Sequence, residues 1–278
     1  MISAIVLAQN EERHLAECLA SLQWADELLL LDSGSQDQTV SIAKAAGARV
    51  EYRAFTHFGD QREAALRLAH HPWVFFVDAD ERVPHALAAE VQHVVTTSAP
   101  LPPSPPPALP VSRPSPLPAS PPPSLLTSPP PVGWWVPRRN FFWGHEVRHS
   151  GWAPDYQLRL LRVDAARYDP DQHVHEVATL DGPASWLKEP LIHINYESWG
   201  EFWQKQRIYA RHEGAKLAAQ GLRWKPWNIV LQPLRAFRRR YIEWEGWKDG
   251  RLGLGLALVM AWWEGVAYLE LKRLTEGK

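Results

Sequence analysis

The segment FFVDADE, Phe75 to Glu81, runs an apolar stretch directly into Asp78, Asp80 and Glu81. Three carboxylates so close together repel one another and resist desolvation, so something must offset their charge. A hard divalent cation held by oxygen ligands does this, and Mg²⁺ or Mn²⁺ bridging protein and phosphate oxygens suits the D-x-D spacing. Taken alone, D-x-D also serves as an acidic cap on a strand-to-helix turn. The segment DSGSQDQT, Asp32 to Thr39, is a second acidic end to an apolar run. Ser35 and Gln38 have the spacing of a capping box that opens a helix. Asp32 lies outside that box, where a carboxylate can accept from a nucleobase imide or a ribose hydroxyl. The chain contains neither G-x-G-x-x-G nor G-x-x-x-x-G-K-[ST], which disfavours a dinucleotide fold and a P-loop.

The elements that must position these carboxylates follow a regular alternation. SAIVLA, ELLLLD, ARVEYR and WVFFVD read as strands. Helical periodicity covers Glu12 to Leu22, Thr39 to Ala46, Gln61 to Ala69 and His85 to Val95. Continuous apolar strands alternating with amphipathic helices imply an α/β fold, a mostly parallel sheet with helices on both faces. Ligands bind such sheets at the carboxyl ends of the strands. That rule selects Ala8 to Glu11, Asp32 to Ser35 and Asp78 to Glu81, all polar. Further on, VGWWVPRRNFFWG and YQLRLLRV read as strands, and DQHVHEVA as a possible third.

These motifs carry a resemblance. IVLAQNEE, LLLLDSGSQDQT, FGDQREAAL and FFVDADERV stand in the order and spacing of family 2 glycosyltransferases of the GT-A fold. Within that family the chain resembles the branch of bacterial lipopolysaccharide-core glucosyltransferases (the beta-1,4-glucosyltransferase-like group), as do WAPDYQLRLLR, VHE and the aromatic C-terminal helices. The resemblance covers nearly the whole chain apart from a proline-rich insertion. It implies a metal-dependent, inverting transfer of a hexose from a nucleotide-sugar such as UDP-glucose to a cell-envelope glycan or lipid-linked acceptor. It further implies that Asp32 holds the uracil or ribose, that Glu11 is the acidic residue after the first strand, and that Arg62 faces the nucleotide. Asp78 and Asp80 match the metal-diphosphate pair. Relatives commonly carry asparagine after the basic residue; here Glu63 stands there, a carboxylate that could compete for Arg62. Transfer to a polyprenyl phosphate is the neighbouring reading. A nucleotidyltransferase would share the sheet and the acidic site, but expects a glycine-rich basic loop where AQNEER stands. A catalytically silent module of the same fold is the third possibility, and the intact Asp32, Asp78 and Asp80 weigh against it.

Transfer to a hydroxyl needs a base for the acceptor's proton. Glu176 in HVHE is preferred, with an imidazole beside it, and Asp155 in WAPD is the alternative. Glu176 could instead pair structurally with Arg159 or Arg162, and His175 is a possible late metal ligand or phosphate contact.

The remaining chain sets the context. Sixteen of the 25 prolines lie between Pro100 and Pro131. So many missing amide donors exclude helix and sheet interior, so 99–131 reads as an exposed, disordered insertion. Residues 1–198 form the GT-A domain on this reading, and 199–278 a helical, basic and aromatic extension. Nine of the 15 tryptophans occur from Trp186 onward. Leu231, Leu234, Phe237, Tyr241 and Trp244 recur at helical spacing with Arg235, Arg238 and Arg239 on other faces, the pattern of an interfacial helix. The twelve-residue apolar run ending at Trp263 is short for a membrane span. These segments suggest peripheral attachment to the inner face of the cytoplasmic membrane. The opening MISAIVLAQNEER reads as a first strand rather than a signal peptide, and the lone Cys18 fits a reducing compartment. A net charge of -1 gives no overall push toward nucleic acid.

Overall fold

The computed structural model describes residues 1–97, 129–169 and 177–276. The proline-rich tract up to residue 128 and the run 170–176, which holds His175 and Glu176, lie outside the described residues. In chain order the strands and helices are β1 (Ile2–Ala8), α1 (Leu15–Ala20), β2 (Glu27–Asp32), α2 (Thr39–Ala45), β3 (Arg49–Tyr52), α3 (Phe58–Leu68), β4 (Trp73–Asp78), β5 (Glu81–Arg82) and α4 (His85–Thr97). They continue as β6 (Gly133–Phe142), β7 (His145–Val147), β8 (Tyr156–Arg162), β9 (Ala166–Arg167), β10 (Thr179–Leu180), β11 (Ala184–Trp186), β12 (Leu191–Tyr196), α5 (Trp199–Ala219), α6 (Asn228–Arg238) and α7 (Gly250–Glu276). Two compact units result: Met1–Pro137 with Tyr156–Ile192, and Arg138–Asp155 with His193–Lys278.

The first unit is the α/β fold that the sequence implies. Its strands run in the order β3-β2-β1-β4-β8-β6. The β3-β2-β1-β4 half is parallel, whereas β8 joins β4 and β6 joins β8 antiparallel. Side chains alternate between the two faces of each strand. In β1 and β4, Ile2, Ala4, Val6, Phe75 and Val77 pack with α1, α2 and α4, and Ile5, Val74 and Phe76 pack with α3. Both faces are therefore covered, which is why the parallel strands are apolar throughout. Phe75 and Phe76 are essentially inaccessible, each contributing roughly 1.5–3 kcal/mol through burial. Ala8 lies beside Asp32 and Leu7 beside Asp78, so β1, β2 and β4 end together.

The second unit has its own core around Phe142, Tyr196, Phe202 and Trp263, with Trp143 stacked on Trp199 at 4.0 Å. Helices α5 and α7 approach closely at Gly214, where an added Cβ would come within 2.8 Å of the Ala267 carbonyl oxygen. The Arg240 guanidinium lies 5.8 Å from the Trp152 ring centre and 5.5 Å from that of Trp244, and donates to the Ser150 carbonyl at 2.9 Å. Burial, aided by the neighbouring Arg239, lowers its pKa to about 10. In α6, Ala236 is buried while Val230 and Leu234 are more than half exposed, as is Trp227 just before the helix. Helix α7 runs through Glu264 to Glu276, well beyond the apolar run visible in the sequence. With the preceding turn it is, by length and composition, long and apolar enough to cross a membrane, and 33% of its most apolar stretch is buried within the protein.

Candidate active site

The carboxyl edge of β1, β2 and β4 gathers the sequence-selected residues of the first unit. The β1 and β2 loops are laced together. Asn10, in the left-handed region at φ 58°, donates its N–H to Ser35 Oγ at 2.9 Å and accepts from the Gln36 N–H at 2.8 Å. The Glu11 N–H reaches Thr39 Oγ1 at 2.8 Å. These bonds correct the expected capping box. The Ser35 hydroxyl serves Asn10, and α2 begins at Thr39, whose N–H is accepted by Asp37 at 2.9 Å. Asp32 is buried and accepts the Gly34 N–H at 3.0 Å and the Ser35 N–H at 3.1 Å. It shapes the loop that follows it, with Gly34 at φ 98° where a side chain would be strained. Beside these loops Leu7, Ala8, Gln9, Glu11, Ser33, Phe55, Phe58 and Gln61 line a cavity of about 360 Å³. Phe55 and Phe58 meet edge to face there, 5.0 Å apart.

At the end of β4 the acidic cluster has an arginine beneath it that sequence reasoning did not assign to the site. Strand β8 runs antiparallel to β4, with Leu160 opposite Phe75, and so delivers Arg159 to the strand end. Its guanidinium engages both oxygens of Asp78, at 3.1 Å to Oδ1 and at short range to Oδ2, and donates to Glu81 Oε1 at 2.8 Å. Glu81 Oε2 accepts the Asp78 N–H at 2.9 Å. The Arg159 side chain is 3% exposed and that of Glu81 0%. Burial opposes the guanidinium's charge, yet the two carboxylates hold its pKa above the ordinary arginine range. The charge of Glu81 is thereby offset by Arg159. Arg162 pairs with Asp164; the expected pairing of Glu176 with Arg159 or Arg162 falls outside the described residues.

Arg62, from α3, extends toward Asp78 Oδ1 at 3.4 Å and lies over the Phe76 ring. Glu63 does not compete for it. Its carboxylate accepts from Arg67 at 2.9 Å and from the Tyr168 N–H at 2.9 Å. Asp80 is partly exposed at the same strand end. Among the described residues no three His, Cys, Asp or Glu side chains converge as a metal cage. The donor set fits a cation shared with phosphate oxygens, the usual arrangement for Mg²⁺, better than one enclosed by protein.

In the second unit Asp155 is tied down. Arg138 donates to Asp155 Oδ2 at 2.7 Å from one nitrogen and 2.8 Å from another, and Asn140 Nδ2 adds a bond at 3.1 Å.

The Glycosyl transferase family 2 model matches residues 3–95, the span that contains Glu11, Asp32, Arg62, Asp78 and Asp80. The lipopolysaccharide core biosynthesis glycosyltransferase LpsC of Rhizobium meliloti is 27% identical over 91% of this chain and 84% of its own length. The chain is a glycosyltransferase whose residues 3–95 resemble family 2. An uncharacterized glycosyltransferase of Rickettsia conorii shares 33% identity with it over 34% of this chain and 33% of that protein. The glycosyltransferase is also similar to the crystal structure of glucosyl-3-phosphoglycerate synthase from Mycobacterium tuberculosis in complex with Mn²⁺, UDP and glucosyl-3-phosphoglycerate. That match has 30% identity over 35% of this chain and 40% of the other, with a TM-score of 0.32.

Proposed function

We propose that this glycosyltransferase moves a hexose from a UDP-sugar such as UDP-glucose to a cell-envelope acceptor, with lipopolysaccharide core as the first candidate. The carrying observation is the shared carboxyl edge of β1, β2 and β4, which brings a laced loop pair, an aromatic-lined cavity and the Asp78–Asp80 pair to one end of the sheet. The acceptor class rests on the likeness to LpsC, which extends over most of both chains. In this reading residues 1–198 form the catalytic domain and 199–278 an extension.

Asp32 and Glu11 hold the nucleoside, and the cavity beside Phe55 and Phe58 receives the base. Arg62 faces the diphosphate. Asp78 and Asp80 hold Mg²⁺ or Mn²⁺ together with diphosphate oxygens, and the cation stabilises the leaving group's charge when bound. Glu176 takes the acceptor's proton in a single inverting displacement, with Asp155 as the alternative base. Asp155 is the weaker choice, because its carboxylate is already engaged by Arg138 and Asn140. Peripheral attachment to the inner face of the cytoplasmic membrane uses the exposed apolar and basic residues of α6 and α7.

Nucleoside diphosphate release from a panel of nucleotide-sugars, with Mn²⁺ and with chelator, tests the reading. Release from UDP-sugars that stops in chelator and in Asp80→Ala is the expected result. Near-normal turnover of Asp80→Ala in chelator would sink the metal assignment, and pyrophosphate release from nucleoside triphosphates would indicate nucleotidyl transfer.

A further inference from the structure

We propose that Arg240, with Arg239 beside it, is a binding site for a phosphate group borne by a sugar or a lipid. All the residues that form it belong to the second unit, so the inference does not depend on how the donor is held. After α6 the chain continues through Arg239–Glu243 as a π-helical turn, closed by the Trp244 N–H on the Arg239 carbonyl at 2.8 Å. Such turns carry one residue more than an α-helical turn and recur at functional sites. Here the turn brings one indole to two guanidiniums. The centre of the Trp244 ring lies 5.1 Å from that of Arg239 and 5.5 Å from that of Arg240.

The guanidinium of Arg240 is held in a fixed cradle. Ser150, in the left-handed region at φ 60°, donates its N–H to the Trp244 carbonyl at 2.9 Å. Its own carbonyl accepts from Arg240 at 2.9 Å. Gly151, at φ 82°, leaves room for the Trp244 indole, since an added Cβ would lie 2.4 Å from Trp244 Cε3. Trp152 supplies a second ring, 5.8 Å from the guanidinium. No acidic side chain completes the cradle. Arg238 pairs with Glu243, but among the described residues neither Arg239 nor Arg240 forms an ion pair, and Glu264 acts on both only through space. Charges removed from water are ordinarily paired. Burial and the charge of Arg239 both work against protonated Arg240, and an anion relieves both. The Arg240 nitrogens are not among the buried polar atoms left without a partner, so the donors that Ser150 leaves unused lie at accessible surface. Two neighbouring guanidiniums suit an anion with more than one charge and several acceptor oxygens. A phosphomonoester, with a charge of about −1.5 to −2 at pH 7 and three acceptor oxygens, meets both conditions.

The test is binding to the purified full chain in two arms. One titrates glucose 6-phosphate against glucose by calorimetry, and the other co-sediments phosphatidylcholine vesicles with and without phosphatidic acid. The parent should bind the phosphomonoester in preference to its matched control. A response to glucose 6-phosphate identifies the phosphate of a soluble sugar as a ligand, and a response to the vesicles alone identifies that of a lipid. In the responding arm Arg240→Gln should weaken binding by about tenfold or more, the scale of lost charge-assisted hydrogen bonds. Arg239→Gln, at an exposed position, should weaken it about threefold and carries the test if Arg240→Gln does not fold. Arg240→Lys should recover only part of the affinity, because an ammonium lacks the planar fork. Arg273→Gln removes the same charge from the end of α7, where Glu270 engages the guanidinium, and should bind like the parent. Preference for the phosphomonoester in neither arm overturns the inference. Parent-like binding in Arg239→Gln and in folded Arg240→Gln overturns it too, as does an equal loss in Arg273→Gln, which would mark a diffuse effect of surface charge.

Discussion

Glu81→Gln is the most informative single change, since it separates the architecture of the strand end from its chemistry. The substitution keeps the shape of the side chain and removes one charge. In the parent, one oxygen of Glu81 receives Arg159 at 2.8 Å and the other receives the Asp78 N–H at 2.9 Å. A glutamine can accept only one of these bonds through Oε1. Its NH₂ group then faces the other donor, N–H against N–H, at a position with no solvent-accessible surface. Removing one partner of a buried ion pair costs about 3–5 kcal/mol. Asp78 still neutralises Arg159, so the lower end, about 3 kcal/mol, is expected here. For a folding unit of this size that corresponds to a fall of roughly 6–12 °C in melting temperature.

Thermal melting followed by circular dichroism, beside urea titration, measures the loss. Arg159→Met should cost a similar amount. The double variant should cost clearly less than the sum of the two, since deleting both members leaves neither charge stranded. Asp80→Asn, at a partly exposed position, should stay within about 1 kcal/mol of the parent while losing transfer. If Glu81→Gln melts within 2 °C of the parent, by the same conversion about 1 kcal/mol or less, Glu81 does not anchor the strand end. Strict additivity in the double variant would refute the coupling as well.

Four further outcomes are expected. Replacing Leu101 to Pro130 by a short Gly/Ser linker should leave melting and donor hydrolysis nearly unchanged, because loop length enters closure entropy only logarithmically; a collapse in melting temperature would show that the tract packs on the fold. Glu176→Gln should bind Mn²⁺ and UDP-sugar like the parent yet transfer on the order of a hundred- to ten-thousand-fold more slowly; loss of transfer in Asp155→Asn instead would assign the base to Asp155, and lost donor affinity in Glu176→Gln would move Glu176 to the donor site. Hydrogen bonds from Arg139 and Arg148 lower the pKa of Glu146 from 4.5 to about 2, so this carboxylate contributes stability above its unfolded pKa and loses it as pH falls from about 4.5 toward 2; Glu146→Gln should therefore melt about 2–4 °C lower at pH 7 and converge on the parent near pH 2. Co-sedimentation should show binding to vesicles rich in anionic lipid, reduced by Leu234→Asp with Arg238→Glu; equal recovery with neutral vesicles, or no effect of the pair, would refute the basic, interfacial reading of α6.

The strands that carry the site were legible because buried parallel strands are apolar at nearly every position. ELLLLD and WVFFVD leave their boundaries no freedom, and Asp32 and Asp78 mark the ends themselves. Helix starts were less legible. The Ser35 hydroxyl could cap α2 or close on Asn10, and only the lateral pairing of β1 with β2, which brings Asn10 alongside, decides between them. Arg159 was hidden for a related reason. It lies far from Asp78 in sequence and reaches it only because β8 turns antiparallel against β4, a pairing that no local pattern specifies. A signal for it does exist in YQLRLLR, where an arginine is flanked by Leu158 and Leu160 in a strand. An arginine buried there must find a carboxylate, and the chain offers surplus carboxylates in one place, at FFVDADE. The opening question of what offsets three clustered acids and the question of what pairs a buried arginine have the same answer. Charge balance between distant segments makes Asp78 and Glu81 candidates for Arg159, and the pairing of β8 with β4 decides among the chain's carboxylates.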